Sequence, residues 1–119
     1  MAWEEYFNKA FVYLENAKKY EGKRDHKAAF SLGFSSIESL IKGFILKEIG
    51  RPPMHISQAL NEEKMLEKLR KIISEEDIRN IKAIDEKMKA LYQKKYSPRM
   101  EETEKILEII EKIVQKLNP

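Results

Sequence analysis

The sequence predicts an all-α fold, an antiparallel up-and-down bundle of four to five helices. Every long segment between breaking residues repeats its apolar side chains with helical period. No segment shows the sustained two-residue alternation of a half-buried strand. The connections between segments are short, and short connections favour antiparallel packing of successive helices. A chain of 119 residues has the size of one domain, so we expect residues 1–119 to form a single helical domain.

The first two helices have the clearest boundaries. The first should cover residues 2–20, with Gly22 just beyond its end as a left-handed cap. Asp25 should cap the second helix, which should continue to about Ile49 and stop at Gly50. Their apolar stripes consist of Trp3, Phe7, Ala10, Leu14 and Ala17 in the first helix and of Phe30, Phe34, Ile37, Ile41, Phe44 and Ile45 in the second.

The remaining helices have start signals of differing strength. The third should begin near Ser57, and the polar residues 61–63 offer a point at which it breaks in two. Ser74 followed by Asp77 is a capping-box pattern that predicts the start of a fourth helix. Serine and proline at 97–98 predict the start of the last helix, as a cap followed by a first-turn proline.

Composition excludes several classes of chemistry. The chain has no cysteine, which removes disulfides, thiolate nucleophiles and zinc–thiolate sites. Its two histidines, His26 and His55, fall at opposite ends of the second helix, so we expect no metal site. Gly-x-Ser-x-Gly, Walker-type and dinucleotide-binding motifs are absent, and we expect no cofactor. With 23 basic and 20 acidic residues, the pI near 9.0 reflects no basic block of the kind that follows a phosphate backbone.

The start of the chain and its charged residues bear on location and source. The sequence begins Met-Ala-Trp-Glu-Glu, without a basic segment followed by an apolar run, so we expect a cytoplasmic location. Lys and Glu supply most of the charge while Gln is scarce, a bias seen in proteins from thermophiles.

A polar stripe on the second helix is a candidate working surface. Ser31, Ser35, Glu38 and Lys42 recur at helical spacing beside the apolar stripe, and we call these four residues the serine stripe. Glu38 and Lys42 have the spacing of a solvent-exposed ion pair, which is sufficient to explain them. The small serines also allow a second helix or a ligand to approach closely, so a cleft or a subunit contact remains an alternative.

Aromatic residues on the first helix and His55 each allow two interpretations. A tyrosine recurs every seven residues along the first helix, at positions Tyr6, Tyr13 and Tyr20. This spacing is expected of a rim of the core, but also of a subunit interface or a base-stacking surface.

His55 follows a double-proline loop. It is either a surface or capping imidazole, or a side chain that projects into a cleft to bind phosphate or move a proton.

Several of these residues together resemble the HEPN domain (higher eukaryotes and prokaryotes nucleotide-binding). Ala-Ala-Phe at 28–30 leads to Glu38 and Lys42, and Gly-Arg-Pro-Pro-Met-His follows at 50–55. Family members carry AAF, then A-x-E-K-x-x-K-A, then G-x-x-P-P-x-x-H-x-L, and an Arg-Tyr-Pro element before the last helix. Lys-Tyr-Ser-Pro at 95–98 stands in the place of that last element.

The resemblance implies a four- or five-helix bundle that commonly dimerises and is encoded beside a minimal nucleotidyltransferase. It further implies nucleotide binding, such as ATP, or a role in a toxin–antitoxin pair. The family positions that match are Glu38, Lys42, His55, Lys95, Tyr96 and Pro98. Ser39 stands where the family usually has its first lysine, and Ser97 separates the tyrosine from the proline.

The ribonuclease branch of this family uses an arginine followed, after four to six residues, by a histidine. Arg51 and His55 have only three residues between them, so we expect a non-catalytic protein. The alternatives are a metal-independent ribonuclease toxin that uses His55 as base, and a plain helical dimerisation module. The candidate nucleotide-binding residues are Lys42, His55, Lys95 and Tyr96. The candidates for a dimer interface or cleft are Tyr6, Tyr13, Ser31, Ser35 and Glu38.

Overall fold

The computed structural model describes residues 2–118 and confirms the all-α prediction. Within that range all regular secondary structure is helical. The helices are α1 (Trp3–Gly22), α2 (His26–Ile49), α3 (Ile56–Asn61), α4 (Glu63–Leu69), α5 (Glu75–Tyr92) and α6 (Met100–Leu117). Residues 2–118 contain six helices because the third predicted helix is divided at Glu62, within the polar residues 61–63; the extended backbone of Glu62 ends α3 and precedes α4.

The core forms one hydrophobic cluster to which α2 contributes the central residues. Ile37, Leu40 and Ile41 are fully buried, and helices α1 and α6 both pack against α2. Side chains from the other helices complete the same cluster. Burial of the predicted stripe of α2 is the main reason that this helix forms, because apolar packing outweighs helical propensity in the stability of most protein helices.

Two glycines of α2 allow its neighbours to approach closely. A Cβ on Gly33 would lie 2.5 Å from Cγ2 of Ile106 on α6, and a Cβ on Gly43 would lie 2.8 Å from the Phe7 ring on α1. Between these contacts, the buried Ser36 hydroxyl donates a hydrogen bond to the Ala10 carbonyl oxygen, at 2.8 Å. The helix therefore holds both α1 and α6 at short range.

By length and composition alone, α2 could cross a membrane. However, 67% of its most apolar 18-residue window is buried inside the fold. This burial is typical of the core helix of a globular domain.

Three of the predicted helix boundaries are confirmed. The Asp25 carboxylate accepts the Ala28 N–H at 3.1 Å, and the Ser74 hydroxyl accepts the Asp77 N–H at 3.1 Å. Gly50 ends α2 with a φ of 93°, in the left-handed region. Side-chain capping and a left-handed glycine thus define these boundaries, as the local sequence indicates.

The predicted cap at Gly22 is wrong, since Gly22 is the last residue of α1. The left-handed residue is Arg24, with a φ of 61°. The Asp25 N–H reaches back to the Tyr20 carbonyl and the Arg24 N–H to the Glu21 carbonyl, which is the Schellman pattern. These two bonds satisfy carbonyls at the helix end and so hold a non-glycine residue in the left-handed conformation.

The predicted start of the last helix at 97–98 is also wrong. Helix α6 begins at Met100, because the Glu102 carboxylate accepts the Arg99 N–H at 3.2 Å and makes Arg99 the N-cap position. Residues 97–98 remain in the loop that joins α5 to α6. This loop, residues 93–99, forms one end of the candidate site.

Candidate functional site

The 93–99 loop folds back onto the N-terminal part of α2. The Tyr96 ring packs edge-on against the buried Phe30, with 5.7 Å between the ring centroids. Lys94 precedes this contact in the left-handed region, with a φ of 60°, and its N–H bonds to the Leu91 carbonyl as the chain leaves α5. The aromatic contact and the turn fix the position of the Lys95–Tyr96 pair.

A hydrogen-bonded triad joins this loop to α5 and α6. The Tyr96 hydroxyl donates to Oε2 of Glu102, and the Lys87 ammonium donates to the same oxygen at 2.7 Å. The Lys87 ammonium also lies 5.8 Å from the centre of the Tyr96 ring. With the Arg99 N–H on its other oxygen, the Glu102 carboxylate connects the loop and α5 to the start of α6.

The triad shifts two pKa values in opposite directions. Burial and the neighbouring Glu102 carboxylate raise the pKa of Tyr96, because both disfavour the phenolate. Burial alone would raise the pKa of Glu102, but hydrogen bonds from Lys87, Tyr96 and the Arg99 backbone outweigh it and lower that pKa. At neutral pH the phenol is therefore neutral and the carboxylate is charged.

An open cavity of about 650 Å³ lies against this triad, and we call it the loop-end cavity. Its lining residues are Lys87, Lys95, Tyr96, Ser97, Arg99, Glu101 and Glu102.

The cations of the loop-end cavity differ in their pairing. Lys87 is paired with Glu102. Among residues 2–118, neither Lys95 nor Arg99 has a carboxylate oxygen within the 4.0 Å that defines an ion pair. Two positive groups on an exposed loop are thus available to an anionic ligand, beside a tyrosine that is held in place.

The serine stripe lies on a different part of α2. Glu38 and Lys42 form the expected i,i+4 pair, at 4.0 Å, with their side chains 35% and 25% exposed, and both serines are half-buried. Lys42 is twelve residues beyond Phe30. The rise of an α-helix places it about 18 Å along the axis from the contact with Tyr96.

His55 lies still farther from the loop-end cavity. It is exposed and precedes α3 without capping that helix through its side chain. The end of α2 that leads to it is nineteen residues beyond Phe30, or about 28 Å along the axis. The expected single cleft of Lys42, His55, Lys95 and Tyr96 is therefore corrected: only Lys95 and Tyr96 are brought together.

The arginine nearest to His55 in sequence is engaged elsewhere. An Arg51 guanidinium nitrogen lies 3.8 Å from a Glu62 carboxylate oxygen, so that this pair ties the double-proline loop to the junction of α3 and α4. Arg51 therefore makes a structural contact within the connection that leads from α2 to α3 and α4.

The three tyrosines of α1 lie at the edge of the core and differ in the exposure of their side chains. Tyr6 is half-buried and packs near Gly43, Tyr13 is half-buried, and Tyr20 is 37% exposed with the Lys23 ammonium 5.7 Å from its ring centre. This arrangement fits a rim of the core.

The outer side of α1 carries exposed apolar side chains. Val12 is 59% exposed and Phe11 is 39% exposed. A shallow, mostly apolar groove of about 310 Å³ is lined by Asn8, Lys9, Val12 and Tyr13. We call Asn8, Lys9, Val12 and Tyr13 the α1 groove; it keeps the interface interpretation of Tyr13 open.

Sequence reasoning missed Lys87, Arg99 and Glu102 as site residues. The periodicity of α5 places Lys87 three residues after the inward-facing Ile84, which indicates a position beside the core. Its role arises from a contact with Glu102, fifteen residues away on another helix, and no local pattern contains that information.

His26, the first residue of α2, approaches Glu21 with 2.5 Å between Nδ1 and Oε1, and so joins the end of α1 to α2.

Within residues 2–118, no cluster of three or more His, Asp or Glu side chains is arranged to hold a metal ion.

Comparison with known proteins adds no family assignment. A scan against protein-family models and searches of curated proteins and of solved structures found no match to this chain.

Proposed function

We propose that this protein is a non-catalytic HEPN-type helical bundle that binds the phosphate groups of a nucleotide in the loop-end cavity. The observation that carries the proposal is a set of two cations, Lys95 and Arg99, which have no ion-pair partner among residues 2–118 and lie beside the ordered Tyr96. Guanidinium and ammonium groups are the usual protein donors to phosphate. Lys42 and His55 are not part of the proposed site, because they lie far along the bundle from this cavity.

The order of this end of the bundle supports the proposal. Glu102 holds both Lys87 and Tyr96, so these two side chains require little reorganisation when a ligand arrives. A site that is arranged in advance loses less conformational entropy on binding. Lys95 and Arg99 attract anions from the lining of the cavity, against the repulsion of the exposed Glu101 carboxylate, and salt weakens both effects.

Titration of the whole chain with ATP tests the proposal. We expect saturable binding at or below millimolar nucleotide. Lys95→Ala should weaken it by up to about fivefold, since an exposed charge contact is worth at most ~1 kcal/mol. Lys64→Ala is the matched control, because Lys64 is an exposed lysine on α4. Absence of binding at millimolar ATP, or an equal effect of both substitutions, would contradict the proposal.

The resemblance to the HEPN domain adds a partner to this proposal: a minimal nucleotidyltransferase encoded beside the chain, in a possible toxin–antitoxin arrangement with a homodimer of this protein. Mixing the two purified proteins and following their elution by size-exclusion chromatography tests the partnership. Separate elution of the two proteins at micromolar concentration would remove it without affecting the nucleotide site.

A second candidate function is a helical dimerisation module, and the exposed apolar residues of α1 favour it. Val12 lines the α1 groove and is 59% exposed, and Phe11, the preceding residue of α1, is 39% exposed. Sedimentation at several concentrations should show a dimer that Val12→Lys disrupts, whereas Lys64→Glu, at an exposed position of α4, should leave it intact. A monomer at all concentrations would exclude this function.

A further inference from the structure

Six exposed basic side chains lie at one end of the bundle, on two segments that are distant in sequence. The segments are adjacent in space, because the Tyr96 ring packs against Phe30 near the start of α2. In addition, the Thr103 hydroxyl of α6 donates a hydrogen bond to the His26 carbonyl oxygen, at 3.5 Å. We call the six basic residues the basic end: Lys23, Arg24, Lys27, Lys94, Lys95 and Arg99.

The basic end carries more positive charge than the chain as a whole. Residues 23–27 and 93–101 contain six basic residues and two acidic ones, Asp25 and Glu101, which gives a net charge of +4. The whole chain has a net charge of +3, so the remaining residues sum to −1. The acidic residues that flank the two segments are engaged by other side chains, Glu21 by His26 and Glu102 by Lys87.

Neither ion pairing nor helix stabilisation accounts for all six cations. Within the described residues, none of them has a carboxylate oxygen within 4.0 Å. A cation is favourable at the carboxyl end of a helix, which fits Lys23 after α1 and Lys94 after α5. Lys27 lies in the first turn of α2 and Arg99 at the N-cap of α6, where a positive charge opposes the helix dipole.

Exposed apolar side chains lie at the same end of the bundle. Tyr20, in the last turn of α1, is 37% exposed, and Tyr92, the last residue of α5, is 77% exposed. Met100, the first residue of α6, is 48% exposed. The basic end therefore combines cations with two tyrosines and a methionine that are open to contact.

We infer that the basic end docks onto the surface of a membrane that contains anionic lipids. Lysine and arginine near an anionic membrane surface each add attraction, and tyrosine is typical of the membrane–water interface. The inference goes beyond the proposed nucleotide site, with which it shares only Lys95 and Arg99. A peripheral contact of this kind is compatible with the cytoplasmic location expected from the sequence, since the cytoplasmic leaflet carries anionic lipids.

The spread of the cations favours a broad anionic surface over a ligand in one groove. Of the six, only Lys95 and Arg99 line the loop-end cavity, so a ligand held there would leave the other four without a partner. The bundle measures 37 × 25 × 25 Å, and α2, with 24 residues, extends about 36 Å along the long dimension. The basic end is thus a face 25 Å across, and a bilayer surface can contact both of its segments at once.

Cosedimentation with lipid vesicles tests the inference on the full chain. Vesicles of equal parts phosphatidylserine and phosphatidylcholine are compared with vesicles of phosphatidylcholine alone. The chain should bind the mixed vesicles reversibly and should not bind phosphatidylcholine alone. Added salt should weaken the binding, because it screens exposed charges. Soluble poly-glutamate and a single-stranded oligonucleotide serve as the comparison polyanions.

Two lysines of the basic end can be replaced without changing the loop-end cavity. Lys23→Ala combined with Lys27→Ala should weaken binding to the mixed vesicles about 25-fold, since each lysine near an anionic surface contributes a factor of about five. The same variant should keep the wild-type affinity for ATP, because neither lysine lines that cavity.

The matched control removes the same charge elsewhere, by Lys64→Ala combined with Arg79→Ala at exposed positions of α4 and α5. Arg79 lies about 20 Å before the end of α5, beyond the Debye length of about 8 Å at physiological salt. The control should therefore leave vesicle binding unchanged.

The exposed tyrosine at the end of α5 tests the apolar part of the contact. Tyr92→Ala does not change the charge and should weaken vesicle binding severalfold, whereas Tyr92→Trp should retain it. Val12→Ala, which shortens an exposed apolar side chain of α1, should have no effect. Equal binding by Tyr92→Ala and wild type would show that Tyr92 stays outside the interface and would contradict the inference.

The remaining outcomes separate the inference from its rivals and from the proposed function. Equal binding to both kinds of vesicle, or an equal loss in the control pair, would overturn the inference. Binding to poly-glutamate or to the oligonucleotide without binding to vesicles would also overturn it, because the partner would then be a protein or a nucleic acid. A chain that binds ATP but no vesicles refutes the inference alone, and a chain that binds mixed vesicles but no ATP refutes the proposed function alone.

Discussion

Replacement of Gly33 by alanine should destabilise the fold, although alanine is the better helix former. Gly33 lies inside α2, where Gly→Ala would ordinarily stabilise a helix by about 0.8–1 kcal/mol. Here the new Cβ would lie 2.5 Å from Cγ2 of Ile106. Carbon atoms make favourable contacts at about 3.5–4.0 Å, so α2 and α6 would have to separate by about 1 Å or Ile106 would have to leave its rotamer.

The overpacking cost should exceed the gain in helix propensity. Ile106 is fully buried, and its branch at Cβ leaves it few alternative rotamers. Overpacking of a well-packed core costs about 1–3 kcal/mol, so the net change should be a loss of roughly 0–2 kcal/mol, with the centre near 1. For a domain of this size the melting temperature should fall by roughly 3–6 °C per kcal/mol.

Urea denaturation followed by circular dichroism measures this effect. Gly22→Ala is the control, because a Cβ on Gly22 meets nothing within 4 Å, and it should raise the free energy of unfolding by a few tenths to about 1 kcal/mol. In an Ile106→Ala background, Gly33→Ala should cost less, since the opposing Cγ2 is gone. A Gly33→Ala variant that is as stable as Gly22→Ala, with an unchanged m value, would refute the close approach of α2 and α6.

Four further predictions concern the site and the helix ends. Glu102 has a folded-state pKa below its ordinary value, so its stabilising contribution is complete at neutral pH and is lost as the pH falls from about 4.5 through the folded pKa. The difference in urea midpoint between wild type and Glu102→Gln should shrink over that range, and a constant difference would contradict the lowered pKa. Tyr96 has a raised pKa, so it favours the folded state below its ordinary pKa of 10.0 and ceases to do so as the pH rises through the folded pKa. The tyrosinate absorbance of wild type that is missing in Tyr96→Phe should therefore appear only well above pH 10.0. Asp25→Ala should lower the free energy of unfolding by about 1 kcal/mol, whereas Asp25→Asn, which retains a capping oxygen, should lower it much less in the same denaturation assay. His55→Ala should leave the affinity for ATP unchanged in calorimetry, because His55 lies beyond the far end of α2 from the loop-end cavity. A tenfold loss of affinity would show that His55 contacts the ligand.

The sequence predicts the fold well because the relevant signals are local. Apolar residues at helical spacing identify the buried face of α2, and Asp25, Ser74 and Gly50 act within four residues of themselves. The misplaced boundaries have a different origin. Arg24 adopts a left-handed conformation held by backbone bonds, and the start of α6 is set by Glu102, so neither depends on the residues that are typical of such positions.

The candidate site was only partly predictable. The sequence predicts Lys95 and Tyr96 as site residues and these two lie together, but Lys42 and His55 lie far from them along α2. Periodicity assigns a residue to a face of its own helix but does not fix which residues of different helices meet at the same height. The contact of Lys87 with Glu102 depends on how α5 and α6 are aligned, which is a property of tertiary packing.

An NMR titration of the isotopically labelled chain with ATP tests the proposed phosphate site most directly. Amide resonances of residues 95–102 and of those around Lys87 should shift in a saturable manner, while those of His55 and of α1 should remain in place. Saturable shifts centred on His55 or on the serine stripe, or no shifts at millimolar ATP, would contradict the account.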